Sequence, residues 1–199
     1  MKPFAVIASV VLMSACGTNP PMQTAMEPVR WNEQQLWARD LDNWQAIAKL
    51  GIKTPKKSAS ARLNWRQSGP NYRIMLSGPL GFGTVLVTGN AERAQLQRGE
   101  SIQRDTPDAL MLLATGISLP SDALHWWMRG IPQPNGPLVT QIKLDGDGQI
   151  LHFAQSGWAL SFSNYQKTSA GYLPGKIIGK ANQMSFKVII SQWDLVREL

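Results

Sequence analysis

The only cysteine among the 199 residues is Cys16. It follows Met1-Lys2, an almost wholly apolar run from Phe4 to Met13, and the small pair Ser14-Ala15. A positive start, a short apolar stretch and a small-residue cleavage site make a secretory signal. The run is too short to cross a bilayer, which needs about 20 apolar residues. A small residue followed by Cys is the lipoprotein-box pattern, in which residues 1–15 are removed and the thiol is diacylated. Met13 stands where leucine is usual in that box, with Leu12 one place earlier. The chemistry expected at Cys16 is therefore acylation of an exported chain. Gly17 follows, where lipoproteins kept at the inner membrane commonly carry Asp. The expected address is the outer membrane, lipid-anchored on its periplasmic face.

Other reactive groups are sparse. His125 sits among Leu124, Trp126 and Trp127, and His152 between Leu151 and Phe153; both read as structural or surface histidines. No H-E-x-x-H or G-x-S-x-G is present, and no second Cys could build a thiolate cluster. Gly175 to Ala181 has three residues between its glycines where a phosphate loop needs four. Ala181 also stands where that loop's magnesium-binding hydroxyl belongs. The Asp145-Gly146-Asp147-Gly148 run lacks the downstream ligands of a calcium loop and reads as a hairpin turn. Neither an enzyme nor a cofactor is expected.

The formal net charge is +7, of which Lys2 contributes one. Basic residues are scattered, with only Lys53, Lys56 and Lys57 clustered, so nucleic acid is not an expected partner. With Cys16 spent on lipid no disulfide can form, and apolar packing must hold the fold. Eight tryptophans could fill a core or line an apolar site.

Around these residues the elements fall in order. Residues 16–30 are the lipidated Cys and a proline-rich tether, and residues 31–199 form one domain. Leu36 and the series Trp37, Leu41, Trp44 and Ile47, at mixed spacings of three and four, predict a helix over residues 31–48. The period then becomes two. Leu63 and Trp65, then Tyr72, Ile74 and Leu76, alternate with polar residues across the Gly69-Pro70-Asn71 turn. Thr106-Pro107-Asp108 and Pro120-Ser121-Asp122 open two helices, which carry Leu113 and then Trp127 and Met128. Strands return with Trp158, Leu160 and Phe162, and with Phe186, Val188 and Ile190. The fold expected is mainly β (α+β): an unclosed, strongly curled antiparallel barrel of about 11 strands, with three helices as its cover.

Ordered through this pattern are residues 47–53 (IAKLGIK), 60–67 (SARLNWRQ), 76–83 (LSGPLGFG), 119–132 (LPSDALHWWMRGIP), 155–160 (QSGWAL) and 173–177 (LPGKI), then a closing strand to Trp193. Together they resemble the LolB family of outer-membrane lipoprotein-insertion proteins over nearly the whole mature chain. The resemblance implies an unclosed barrel with a helical lid over an apolar cavity. It implies a role in accepting lipoproteins from the periplasmic carrier LolA and releasing them into outer-membrane phospholipid. The carrier has a similar fold but is not lipidated, so Cys16 favours LolB. A monomer is expected.

The candidate acyl-chain set is Leu63, Trp65, Tyr72, Ile74, Leu76, Trp158, Leu160, Phe162, Phe186, Val188 and Ile190 on the sheet, with Leu113, Trp127 and Met128 on the lid. Each alone could equally be ordinary core. Together they exceed what a sheet and three short helices need. Leu80 lies in a Gly/Pro-rich turn that cannot bury a leucine in strand register. In the family the matching loop protrudes and its leucine enters the membrane; a Leu80 folded back onto the core is the alternative. A structural or assembly lipoprotein without a lipid ligand is the competing function.

Overall fold

In the computed structural model, the structure describes residues 35–78, 83–169 and 171–195. Residues 35–39 form a short helix, α1. A meander follows: β1 (Asn43–Lys53), β2 (Ser58–Ser68), β3 (Asn71–Ser77), β4 (Val85–Gly89), β5 (Ala94–Arg98) and β6 (Ser101–Asp105). Helices α2 (Pro107–Thr115) and α3 (Ser121–Met128) interrupt it. The remaining strands are β7 (Thr140–Leu144), β8 (Ile150–Gln155), β9 (Trp158–Ser163), β10 (Gln166–Thr168), β11 (Gly171–Leu173), β12 (Lys176–Ala181) and β13 (Met184–Leu195). Eleven strands make one antiparallel sheet in the order β6-β5-β4-β3-β2-β1-β13-β12-β9-β8-β7, and β10 and β11 pair separately. β6 and β7 are unpaired edges, so the barrel does not close, as the sequence pattern predicts. All of β6 and nearly all of β7 are exposed, and apart from Ile102 and Ile142 their exposed residues are polar or charged, which discourages pairing with another chain.

Alternation places the core. Trp44, Ala46, Ala48 and Leu50 point inward from β1, Leu63, Trp65 and Gln67 from β2, and Phe186, Val188 and Ile190 from β13. The β8–β9 hairpin turns through Ser156 and Gly157, both at positive φ, which matches the twist of the flanking strands. The Asp145 carboxylate accepts from the backbone N–H of Asp147 (3.0 Å) and Gln149 (2.9 Å), closing the β7–β8 hairpin. Gly179 is required for a different reason: a Cβ there would come within 2.2 Å of the Phe186 ring. The ring lies across its cross-strand glycine.

The helix predicted over residues 31–48 is a correction. The described helix ends by residue 39, and Trp44 and Ile47 belong to β1. Leu36, expected on a buried face, is 63% exposed. Spacings of three and four between apolar residues concealed the stricter alternation Trp44-Ala46-Ala48-Leu50. β1 is the central strand, bonded on one side to β2 and on the other to β13, and that pairing overrides local propensity.

Arg129 fastens the short helix to this frame. Its guanidinium is buried and donates to the carbonyls of Ala38 (2.7 Å) and Leu41 (2.8 Å), the end of α1 and its exit. Nε donates to His125 O at 3.2 Å, and the cation lies 4.2 Å over the Trp126 ring. Burial lowers its pKa to about 10, opposed by Asp42. Removing the donor strands several carbonyls away from water, so Arg129→Leu is expected to cost about 3 kcal/mol. A urea-unfolding midpoint checks it; an unchanged midpoint would refute the clamp.

Candidate functional site

Three spaces share walls in a line beneath α2 and α3. The middle one, about 60 Å³, is walled by Leu63, Trp65, Ile74 and Leu76 from β2 and β3, and by Leu50, Ile177, Phe186 and Val188 from the neighbouring strands. Its roof is Met111, Thr115, Leu119, Leu124, Trp127 and Met128. Thr115, the one hydroxyl there, donates to its own helix at Met111 O (2.6 Å). The waist is thus apolar throughout.

Register orients the line along the strands. At the β2–β3 hairpin the space widens to about 240 Å³, with Gln67, Tyr72, Asn90, Ser121, Asp122 and His125 among its walls. At the other end it widens to about 390 Å³, where Leu50, Ile52, Leu76, Val85 and Leu113 meet Lys57 and Arg98. Ala59 and Gln67 on β2 mark those two ends, about 27 Å apart at ~3.4 Å per residue. The result is an apolar channel with a polar vestibule and a basic mouth.

In the vestibule, Trp65 Nε1 donates to Gln67 Oε1 (3.1 Å), and Gln67 Nε2 passes the chain on to Gly69 O (2.9 Å). The Tyr72 hydroxyl is buried without a partner among the described residues. Burial, with Asp122 and Asp108 nearby, pushes its pKa up to about 12. Burial, then the Arg129 charge, pushes His125 down to about 4. Among the described residues no group of three or more His, Cys, Asp or Glu could hold a metal ion.

The roof is fastened unevenly. In α3, Trp127 Nε1 donates to the buried Gln155 Oε1 on β8 (3.0 Å). The Gln155 amide in turn donates to Gln133 O and Pro137 O in the following loop. α2 is capped by Thr106, whose hydroxyl accepts from Ala109 N, and by Gly116 at φ +79°. It buries Pro107, Leu110 and Met111. Its polar tie to α3 is the Asp108 carboxylate, which accepts from Ser121 N (2.8 Å) and Ser121 Oγ (2.6 Å). Leu112 and Leu113 face outward, 49% and 46% exposed.

Of the predicted set, Leu63, Trp65, Ile74, Leu76, Trp127, Met128, Phe186 and Val188 wall the waist, Tyr72 the vestibule and Leu113 the mouth. Trp158, Leu160, Phe162 and Ile190 are buried but line none of these spaces. They face inward as expected, yet that side of the curled sheet is filled by its own rings. Phe162 stacks on Phe153 and Trp158 packs on Phe186, each at 5.2 Å. Leu50, Met111, Leu119, Leu124 and Ile177 were missed. Leu50 lies just past the helix predicted over 31–48, which broke the alternation of β1 before reaching it, whereas Leu124 stands at the i, i+3, i+4 spacing with Trp127 and Met128 and was legible. Cys16 and Leu80 lie outside the described residues; Gly78 and Gly83, on either side of 79–82, both border the mouth.

The family model described as outer membrane lipoprotein LolB matches residues 42–193. The outer-membrane lipoprotein LolB of Pseudomonas fluorescens is 30% identical over 198 residues, covering 97% of this chain and 96% of that one. That of Chromohalobacter salexigens is 30% identical over 191 residues, covering 95% and 88%. Among solved structures, a LolA superfamily protein from Nitrosomonas europaea aligns at TM-score 0.57 and 10% identity, covering 87% of this chain and 94% of that one. A DUF1329 family protein from Desulfovibrio piger aligns at 0.55 and 9%, covering 86% and 94%. These two share the fold.

The depressed His125 pKa carries a pH signature. Its neutral form is favoured by folding, so this contribution is complete above the ordinary value near 6.5 and is lost as pH falls towards about 4. The difference in melting temperature between wild type and His125→Phe should therefore shift against wild type across that window. A difference independent of pH would show that the imidazole is not held neutral.

Proposed function

The chain belongs to the LolB family of outer-membrane lipoproteins, and from that premise we propose that it accepts lipoproteins from the carrier LolA and inserts them into the outer membrane. The observation that supports the reading is the apolar channel under α2 and α3, open at a mouth that Gly78 and Gly83 border. An acyl chain in water costs about 0.8 kcal/mol per CH₂, so one long chain exposes roughly 12 kcal/mol. A client with two or three such chains needs a shielded path between carrier and bilayer. Transfers that each run downhill need no nucleotide.

The waist, about 60 Å³, holds a few water molecules' volume and no acyl chain. Something must move, and α2 is the less tied helix. Uncovering Leu110 and Met111 costs about 1.5–3 kcal/mol each, less than one acyl chain returns by entering. In this mechanism α2 lifts while Trp127–Gln155 and Arg129 keep α3 seated. The narrow waist is also what favours the second reading, an assembly lipoprotein whose core is merely packed.

Two further assignments complete the proposal. Residues 1–15 are a signal peptide, and Cys16 carries the lipid on the 16–30 tether. Leu80 enters the bilayer during release. Burying one leucine yields only about 1.5–3 kcal/mol, too little to anchor the protein but enough to bias the mouth against a membrane. The protein acts as a monomer on acyl chains of its clients.

A two-step assay, client captured from LolA and then delivered to liposomes, tests these roles. A soluble Cys16→Ala form should still capture client. Adding Leu80→Glu should leave melting and capture nearly unchanged while delivery falls at least tenfold. Loss of capture in folded Cys16→Ala protein, or full delivery by Leu80→Glu, would contradict the division of labour. Capture of nothing by any form would favour the assembly reading.

A further inference from the structure

The meander sorts carboxylates along the strand axis, whereas cations stand at both ends, with Arg66, Arg73 and Arg93 exposed at the vestibule end. Strand direction puts the turns after β1, β5 and β12 at the mouth end, with Gly78 and Gly83. The turns after β2, β4 and β7 lie at the other end. At the mouth end stand Lys53, Lys56, Lys57, Arg98, Lys180 and Lys187, all exposed. Glu100 is the only described carboxylate there. Asp40, Asp42, Glu92, Asp105, Asp108 and Asp122 lie at or near the vestibule end, as do Asp145, Asp147 and Asp194. Lys57 leans over the mouth itself: its Nζ would be 3.7 Å from a Cβ on Gly116, at the C-terminus of α2.

We infer that this collar of lysines and Arg98 is a contact surface for anionic phospholipid headgroups, setting the channel mouth against the membrane. The inference rests on the reading that the channel discharges into a bilayer. Its layout, an apolar opening with Lys57 and Arg98 in its walls and Lys53, Lys56, Lys180 and Lys187 exposed at the same end, matches an acyl interior beneath a phosphate layer. The residue types separate a membrane from an acidic protein as the occupant. Five of the six cations are lysines, long point charges suited to a fluid array of phosphates. Protein–protein interfaces deplete lysine and enrich arginine. At the far pole carboxylates interleave with the cations Arg66, Arg73 and Arg93, so that end lacks the carboxylate-poor cation cluster of the mouth.

Vesicle co-sedimentation of the full-length Cys16→Ala protein tests this without client or carrier, so it stands or falls separately from lipoprotein transfer. The probes are phosphatidylethanolamine vesicles with and without phosphatidylglycerol. Binding should require phosphatidylglycerol and weaken with salt. Each cation near such a surface is worth roughly fivefold in partitioning, so Lys56→Gln/Lys57→Gln/Arg98→Gln should bind on the order of 100-fold more weakly. A charge-matched control at the far pole, Arg66→Gln/Arg73→Gln/Arg93→Gln, should bind as the parent does; matched melting curves confirm that both fold. Equal binding to both vesicle types, or equal loss in the control, overturns the inference. A collar variant that keeps vesicle binding but no longer captures client from LolA gives this surface to the carrier and overturns it too.

Discussion

An antiparallel sheet of eleven strands with an apolar inner face must be covered, and every other feature of this fold follows from how incompletely it is covered. A closed small barrel would fill its interior with side chains. Here β6 and β7 never meet, and the helices that bridge the gap are short. At ~1.5 Å per residue, α2 (9 residues) and α3 (8 residues) are each about 12–14 Å long. The 11-residue strands beneath run about 37 Å. Two such helices cannot roof that length without leaving space at both ends. The channel is therefore a consequence of element lengths, and its apolar lining a consequence of strand alternation.

The uneven fastening of the roof decides which part can yield. Buried polar groups fix α3: Gln155 satisfies Trp127 and the loop after it, and Arg129 satisfies carbonyls at the end of α1. A buried hydrogen-bonded group resists movement because its partner would be left unpaired. α2 is held mainly by apolar contact, which another apolar surface can replace. The polarity of the ends adds a direction. β1 begins at the carboxylate-rich pole, so the chain from Cys16 enters the fold away from the mouth. Residues 17–30 could reach roughly 45–50 Å if extended, at about 3.3–3.6 Å each, more than the length of β1. The proposed tether thus leaves the mouth free to face the membrane that holds the anchor.

Much of this was legible in the residues. Alternation in β2, β3, β9 and β13 is unambiguous, and Pro107, Ser121 and their neighbours mark the helix starts plainly. β1 was misread because alanines at positions 46 and 48 weaken the apolar signal of its inner face, leaving Trp44 and Ile47 at a helical spacing. Its strand identity comes from partners at both sides, one of them more than a hundred residues away. Inward-facing residues could be found by period, but not which of them border empty space. Leu160 and Leu63 have the same pattern in sequence; aromatic packing fills the region around one and leaves room beside the other. The cation cluster at the mouth was invisible for a related reason. Only the up-and-down course of the strands gathers Lys57, Arg98 and Lys180 at one end.

The central claim is that the channel under α2 and α3 is an acyl-chain site, not a packed core with defects. Structure determination of the Cys16→Ala protein with a triacylated lipopeptide tests it most directly. The account predicts acyl density running from the mouth past Leu50 and Leu76 to Trp65 and Met111, with α2 displaced outward and α3 still bonded through Trp127 and Arg129. A lipopeptide bound elsewhere, with the waist still closed and α2 in place, would contradict it.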